Sequence, residues 1–115
     1  MSQTFGERVR TLREARYLGL RKLAERVGMS PTYLSKIERG QFPPPSEAKI
    51  KLIAGVLEQD PDEFLALAGR VSSDLSEIIK KRPSAIATFL RAAEGLTAAD
   101  IERLTKQAVR RKGEG

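Results

Sequence analysis

Leu20-Arg21-Lys22-Leu23-Ala24-Glu25-Arg26-Val27-Gly28-Met29-Ser30-Pro31-Thr32-Tyr33-Leu34-Ser35-Lys36-Ile37-Glu38-Arg39 is the stretch that decides the fold. Leu23, Ala24 and Val27 recur at helical spacing and make the inner face of a short helix over about 20 to 27. Gly28 stops it, because glycine adopts the positive φ of a helix C-terminus at no steric cost. Ser30 followed by Pro31 is an N-cap plus first-turn proline, which predicts a second helix over about 31 to 39 with Leu34 and Ile37 inward. A small residue at the contact, a turn glycine and a Ser-Pro cap at these offsets describe two short helices crossing steeply over one apolar face. A generic pair of packed helices needs only the apolar positions.

The pattern extends in both directions as an all-α chain, with no alternating β-branched run and only 5% aromatic residues. Upstream, Phe5, Val9 and Leu12 form a stripe that predicts a helix from about Thr4 to Arg16. Downstream, Gly40 ends the 31 to 39 helix and Pro43-Pro44-Pro45 forces an extended connector. Ser46 then caps a helix carrying Ile50, Ile53, Ala54 and Leu57. Asp60-Pro61-Asp62-Glu63 reads as a capping box opening a fifth helix through Phe64, Leu65 and Ala68. Beyond Gly69 come three amphipathic segments: Leu75, Ile78 and Ile79; Ile86, Phe89, Leu90 and Ala93; and Ile101, Leu104 and Ala108. Pro83 starts the second of these, Gly95 ends it, and Thr97 to Asp100 offers a cap for the third.

Composition narrows the chemistry. The chain has 115 residues with 21 Lys+Arg, 15 Asp+Glu and a formal charge of +6, without cysteine, histidine or tryptophan. Disulfides, thiol switches and Cys-ligated zinc are excluded, and the commonest general base and metal ligand is missing, so neither an enzyme, a metal site nor a cofactor is expected. No run approaches the roughly 18 apolar residues of a membrane span and the start lacks a signal-peptide layout, so the expectation is a cytoplasmic protein without membrane contact. Residues 1 to 57 carry 11 basic and 5 acidic side chains, whereas the rest carry 10 of each. The whole excess belongs to the first half, as suits a polyanionic partner whose counterions are released on binding.

Three sets of residues carry the resemblance that follows: Arg13; Leu23-Ala24 with Val27-Gly28-Met29-Ser30; and Tyr33-Leu34-Ser35-Lys36-Ile37-Glu38-Arg39-Gly40 with Ile53-Ala54 beyond. In these the chain resembles the Cro/lambda-repressor-like (XRE-type) helix-turn-helix regulators over about Phe5 to Leu67. The resemblance implies a five-helix DNA-binding domain, here residues 1-69, whose second short helix reads double-stranded DNA. One departure is Leu20, where the family commonly has a glutamine that bonds phosphate; Arg21 and Lys22 follow it and can supply charge.

Helix geometry at about 100° per residue puts Thr32, Ser35, Lys36 and Arg39 on the outer face and Tyr33 on its flank. The family positions that touch bases match Pro31, Thr32, Tyr33 and Lys36. Lys36 can donate to guanine O6 or N7, and the other three can pack on thymine methyls. Phosphate contacts are expected from Arg21, Lys22, Ser30, Ser35, Arg39, Gln41 and Ser46, with backbone amides near Leu20 and Ser46. In relatives the glutamate matching Glu38 pairs with the arginine matching Arg13, which implies a clamp between the first and third helices. Ser46-Glu47-Ala48-Lys49 also fits the S-x-x-K pattern of penicillin-binding enzymes, but without the companion motifs it reads as a helix cap and a solvated lysine.

Residues 70-115 are too few to bury a core alone, so their stripes need another surface. Docking on the first half is one solution. Pairing with a second copy through Leu75, Ile78, Ile79, Ile86, Phe89, Leu90, Ile101 and Leu104 is the other and the favoured one, because one recognition helix reads few base pairs. Two function classes follow: a dimeric repressor on a palindromic operator, or an antitoxin-like interaction protein whose partner is a toxin or peptidase. Lys80-Lys81-Arg82 and Arg110-Arg111-Lys112 could reach DNA backbone but are read as charges at helix C-termini, with Gly113 and Gly115 suggesting a frayed end in the second case.

Overall fold

The computed structural model describes residues 3–114, which fold into eight α-helices and no strand among the described residues. They divide into two compact units, the first ending at Ser73 and the second starting at Asp74.

The first unit holds α1 (Phe5–Ala15), α2 (Leu20–Val27), α3 (Pro31–Glu38), α4 (Glu47–Val56) and α5 (Pro61–Leu67). Their boundaries follow from the caps. Thr4, Ser30, Ser46 and Asp60 each accept backbone N–H groups of the turn they open. Asp60 accepts from Asp62 and Glu63. At the far end of α3, Gly40 takes φ +74°, its N–H reaches the Ile37 carbonyl and that of Gln41 reaches the Lys36 carbonyl, a Schellman closure that turns the chain sharply.

The apolar faces meet in one core of Phe5, Val9, Leu23, Ala24, Val27, Leu34, Ile37, Ile50, Ile53, Ala54, Leu57, Phe64 and Leu65. Leu12 and Met29 pack against its edge, half-buried. Phe5 and Phe64 close it edge to face at 5.8 Å. A fully buried Leu or Ile contributes about 1.5–3 kcal/mol, so this unit has its own driving force to fold. The approach of α1 to α3 depends on Gly6, because a Cβ there would run into the Ile37 carbonyl and the Glu38 backbone.

Two features differ from the sequence expectations. Lys49 is not a solvated charge: its Nζ donates to the carbonyls of Val27 (2.8 Å) and Gly28 (3.2 Å), capping the C-terminus of α2. The division of the chain falls at Ser73 rather than Gly69, because residues 70–73 are fastened to the first unit. Arg70 donates to the Pro44 and Pro45 carbonyls, Lys51 Nζ donates to the buried Ser72 hydroxyl, and the Glu47 carboxylate accepts the Ser73 amide and hydroxyl.

The second unit carries α6 (Ser73–Lys81, starting at the boundary residue), α7 (Pro83–Ala93) and α8 (Ala98–Glu114). Thr97 and Asp100 form a reciprocal capping box, each side chain bonding the other's amide, which fixes the start of α8. That helix runs through Gly113 to Glu114, Gly115 lying outside the described residues, and Arg111 and Lys112 in its last turn offset its dipole. None of the three helices contributes a buried residue. No described helix is long and apolar enough to cross a membrane.

Candidate nucleic-acid interface

The outer surface of α3 is positioned by a clamp on its last turn. Arg13 Nε and Nη2 donate to Glu38 Oε2 and Oε1 at 2.8 and 2.9 Å, a bidentate pair, while Nη1 donates to the Leu18 carbonyl at 3.0 Å. Only 4% of the Glu38 side chain and 13% of that of Arg13 are exposed. Donation to the Glu38 carboxylate raises the pKa of the Arg13 guanidinium above its ordinary value, against the opposing effect of burial. The clamp ties α1, the α1–α2 turn and α3 together.

With Leu34 and Ile37 buried, α3 turns its other face outward. Thr32, Tyr33 and Arg39 are exposed, and Pro31, Ser35 and Lys36 half-buried. Arg21, Pro31, Thr32, Ser35 and Arg39 meet, with Leu20, around one shallow depression between the start of α2 and α3. Lys22, Ser30 and Ser46 lie outside it and are exposed. Ser30 and Ser46 spend an acceptor lone pair on the Tyr33 and Lys49 amides, which leaves each hydroxyl proton for an outside acceptor. Gly19 has no side chain to cap α2, so the first-turn amides beside Arg21 and Lys22 have no side-chain acceptor. Unpaired amides with two cations suit a phosphate oxygen, and they occupy the place where the glutamine is missing.

Tyr33 and Lys36 are organised by a residue that sequence reasoning passed over. Phe42, in the loop after α3, stands edge to face with Tyr33 at 5.8 Å and 82°, and the Lys36 ammonium lies 5.0 Å from its ring centre. Gln41 lines a separate depression with Phe42, Pro43 and Pro44. Phe42 carried a signal, since a residue directly before proline is held to extended backbone. Gly6 and Lys49 carried none, because their roles depend on which helix lies opposite.

In the second unit, Leu75, Ile78, Phe89, Leu90, Ile101 and Leu104 are exposed and Ile79 and Ile86 half-buried. Phe89, Leu90, Ala93, Ile101, Leu104, Ala108 and Val109 line an apolar groove along α7 and α8.

A family model described as a helix-turn-helix domain matches residues 4–67. Among curated sequences, the chain is 39% identical over 74 residues to the uncharacterised HTH-type transcriptional regulator RghRB of Bacillus subtilis (strain 168), covering 64% of this chain and 53% of that protein. It is 36% identical over 69 residues to the HTH-type transcriptional repressor RghR of the same organism, covering 60% and 51%. The chain thus spans about half the length of these curated relatives. Among solved structures, the master regulator for biofilm formation SinR in complex with DNA is similar at 31% identity and a TM-score of 0.50, over 54% of this chain and 98% of that one.

Proposed function

The chain belongs to the helix-turn-helix domain family, and from that premise we propose that it is a sequence-specific regulator of transcription that binds double-stranded DNA as a dimer and represses from a palindromic operator. One observation carries the reading: α3 turns Pro31, Thr32, Tyr33 and Lys36 outward from a scaffold that Arg13 and Glu38 hold in place. In this reading α3 enters the major groove, Lys36 donates to guanine, and Thr32, Tyr33 and Pro31 pack on thymine methyls. Arg21, Lys22, Ser30, Ser35, Arg39, Gln41, Ser46 and the open amides of α2 hold the flanking phosphates and set the register. The similarity to SinR, whose structure is a complex with DNA, supports this use of the domain. The similarity to a named repressor supports repression as the outcome.

The dimer rests on the second unit. Three helices without one buried residue leave their apolar faces open, and a second copy covers them symmetrically. In that arrangement 1-69 with its 70–73 strap is the DNA-binding part and the helices after it hold the partner, and the site of action is the chromosome in the cytoplasm. Selecting bound fragments from genomic DNA and sedimenting the full chain test both halves. The expected results are an inverted repeat with half-site centres about 34 Å apart and a dimer at micromolar concentration. Fragments with no shared sequence would refute the readout by α3, and a monomer would refute the pairing.

A further inference from the structure

We propose that Phe42 is a specificity-determining positioning residue: its ring, met edge to face by Tyr33, holds the Lys36 ammonium in the pose from which it meets a base edge. The inference rests on the DNA-binding reading above and adds a residue that touches the base readers without lying on α3.

The ring is placed by the backbone. Gly40 at φ +74° reverses the chain, the Phe42 amide returns to the Lys36 carbonyl at 3.3 Å, and Pro43 to Pro45 hold the following segment extended. The aromatic is thereby brought back over the third and sixth residues of α3. There its face lies 5.0 Å from Lys36 Nζ, within range of a cation–π attraction, and its orientation to Tyr33 is the favoured edge-to-face one. Phe42 remains 43% exposed, so the contact is not burial for its own sake. A lysine carries much rotamer freedom and donates as a point charge, so an unsupported Lys36 gives up that freedom on meeting guanine and discriminates poorly. An ammonium already gathered on the ring face loses less, and the gain falls on the base pair that Lys36 reads.

The chemistry separates this role from simple packing. Leucine at position 42 keeps apolar bulk and removes the ring quadrupole, whereas tyrosine keeps the ring face. Full-length protein and its Phe42→Leu, Phe42→Tyr, Lys36→Ala and Lys36→Ala/Phe42→Leu variants are each used to select from a randomised duplex library, and their melting temperatures are recorded. Phe42→Leu is expected to lower discrimination roughly 2- to 5-fold at one base pair, the same one that Lys36→Ala relaxes. Phe42→Tyr restores it, the double variant matches Lys36→Ala alone there, and melting temperatures stay level. An unaltered preference for Phe42→Leu, a loss spread evenly over all sequences, or no rescue by tyrosine would overturn the inference while leaving DNA recognition standing. A wild-type protein that enriches no motif would overturn the DNA-binding reading itself and this inference with it.

Discussion

Removing one partner of the Arg13–Glu38 pair is expected to unfold the first unit at a much lower temperature, and removing both is expected to repair most of the loss. Glu38 is 4% exposed, and both of its carboxylate oxygens are occupied by Arg13. Arg13→Met strands that carboxylate in the core; Glu38→Leu strands a guanidinium whose remaining hydrogen bond is to the Leu18 carbonyl, with Glu14 near. Breaking a buried pair in this way costs about 3–5 kcal/mol. At about 2.1 cal/mol/K per residue, a unit of some 70 residues has an unfolding entropy near 0.15 kcal/mol/K, so about 3 kcal/mol lowers Tm by roughly 20 °C. The Arg13→Met/Glu38→Leu double variant leaves no charge behind, and apolar replacement of a whole pair is often close to neutral. Thermal unfolding followed by circular dichroism without DNA, on all four members of the cycle, reads the coupling directly. Single variants that melt within about 3 °C of wild type, or a double variant whose loss equals the sum of the singles, would refute the clamp.

Gly6→Ala is expected to cost about 1–3 kcal/mol, because the added methyl meets backbone of α3 that cannot rotate away; chemical denaturation measures it. Hydrogen bonds from Lys51 and then Ser73 hold the Glu47 carboxyl below the usual carboxylate range. A depressed pKa stabilises the folded state above the unfolded value of about 4.3, and that stabilisation is lost as the pH falls through the folded one, so Glu47→Gln should lower Tm at neutral and alkaline pH, converge with the wild type at low pH and thereby flatten the acid limb of the Tm–pH curve. Phe89→Asp/Leu90→Asp is expected to turn a dimer into a monomer by sedimentation while the first unit still melts cooperatively, since its core lies in other helices.

Much of the fold was legible because its signals are local. Ser30-Pro31, Ser46, Asp60-Pro61, Gly28 and Gly40 mark helix ends by chemistry acting within one turn, and the structure begins or ends α2 to α5 within two residues of each. The outward face of α3 followed in the same way from Leu34 and Ile37 pointing in. What escaped depends on chain reversal or on which helices pack together. Lys49 lies on α4 and caps α2, Gly6 on α1 makes room for α3, and Phe42 returns over α3 only after Gly40 has turned the backbone. The sequence places residues 70–73 after the division at Gly69, yet the side chains of Arg70 and Ser72 and the Ser73 amide and hydroxyl find partners between Pro44 and Lys51.

The central claim is that α3 reads base sequence, with Lys36 as its main donor. The most direct test is a pair of binding constants at physiological salt, for the selected duplex and for a scrambled duplex of equal length, in the wild type and in Lys36→Ala. The account predicts a wild-type preference of at least about 10³-fold for the selected duplex. It predicts that Lys36→Ala weakens that duplex by about 1–3 kcal/mol with little change on the scrambled one. Equal affinity of the wild type for both duplexes, or equal losses on both for Lys36→Ala, would contradict it.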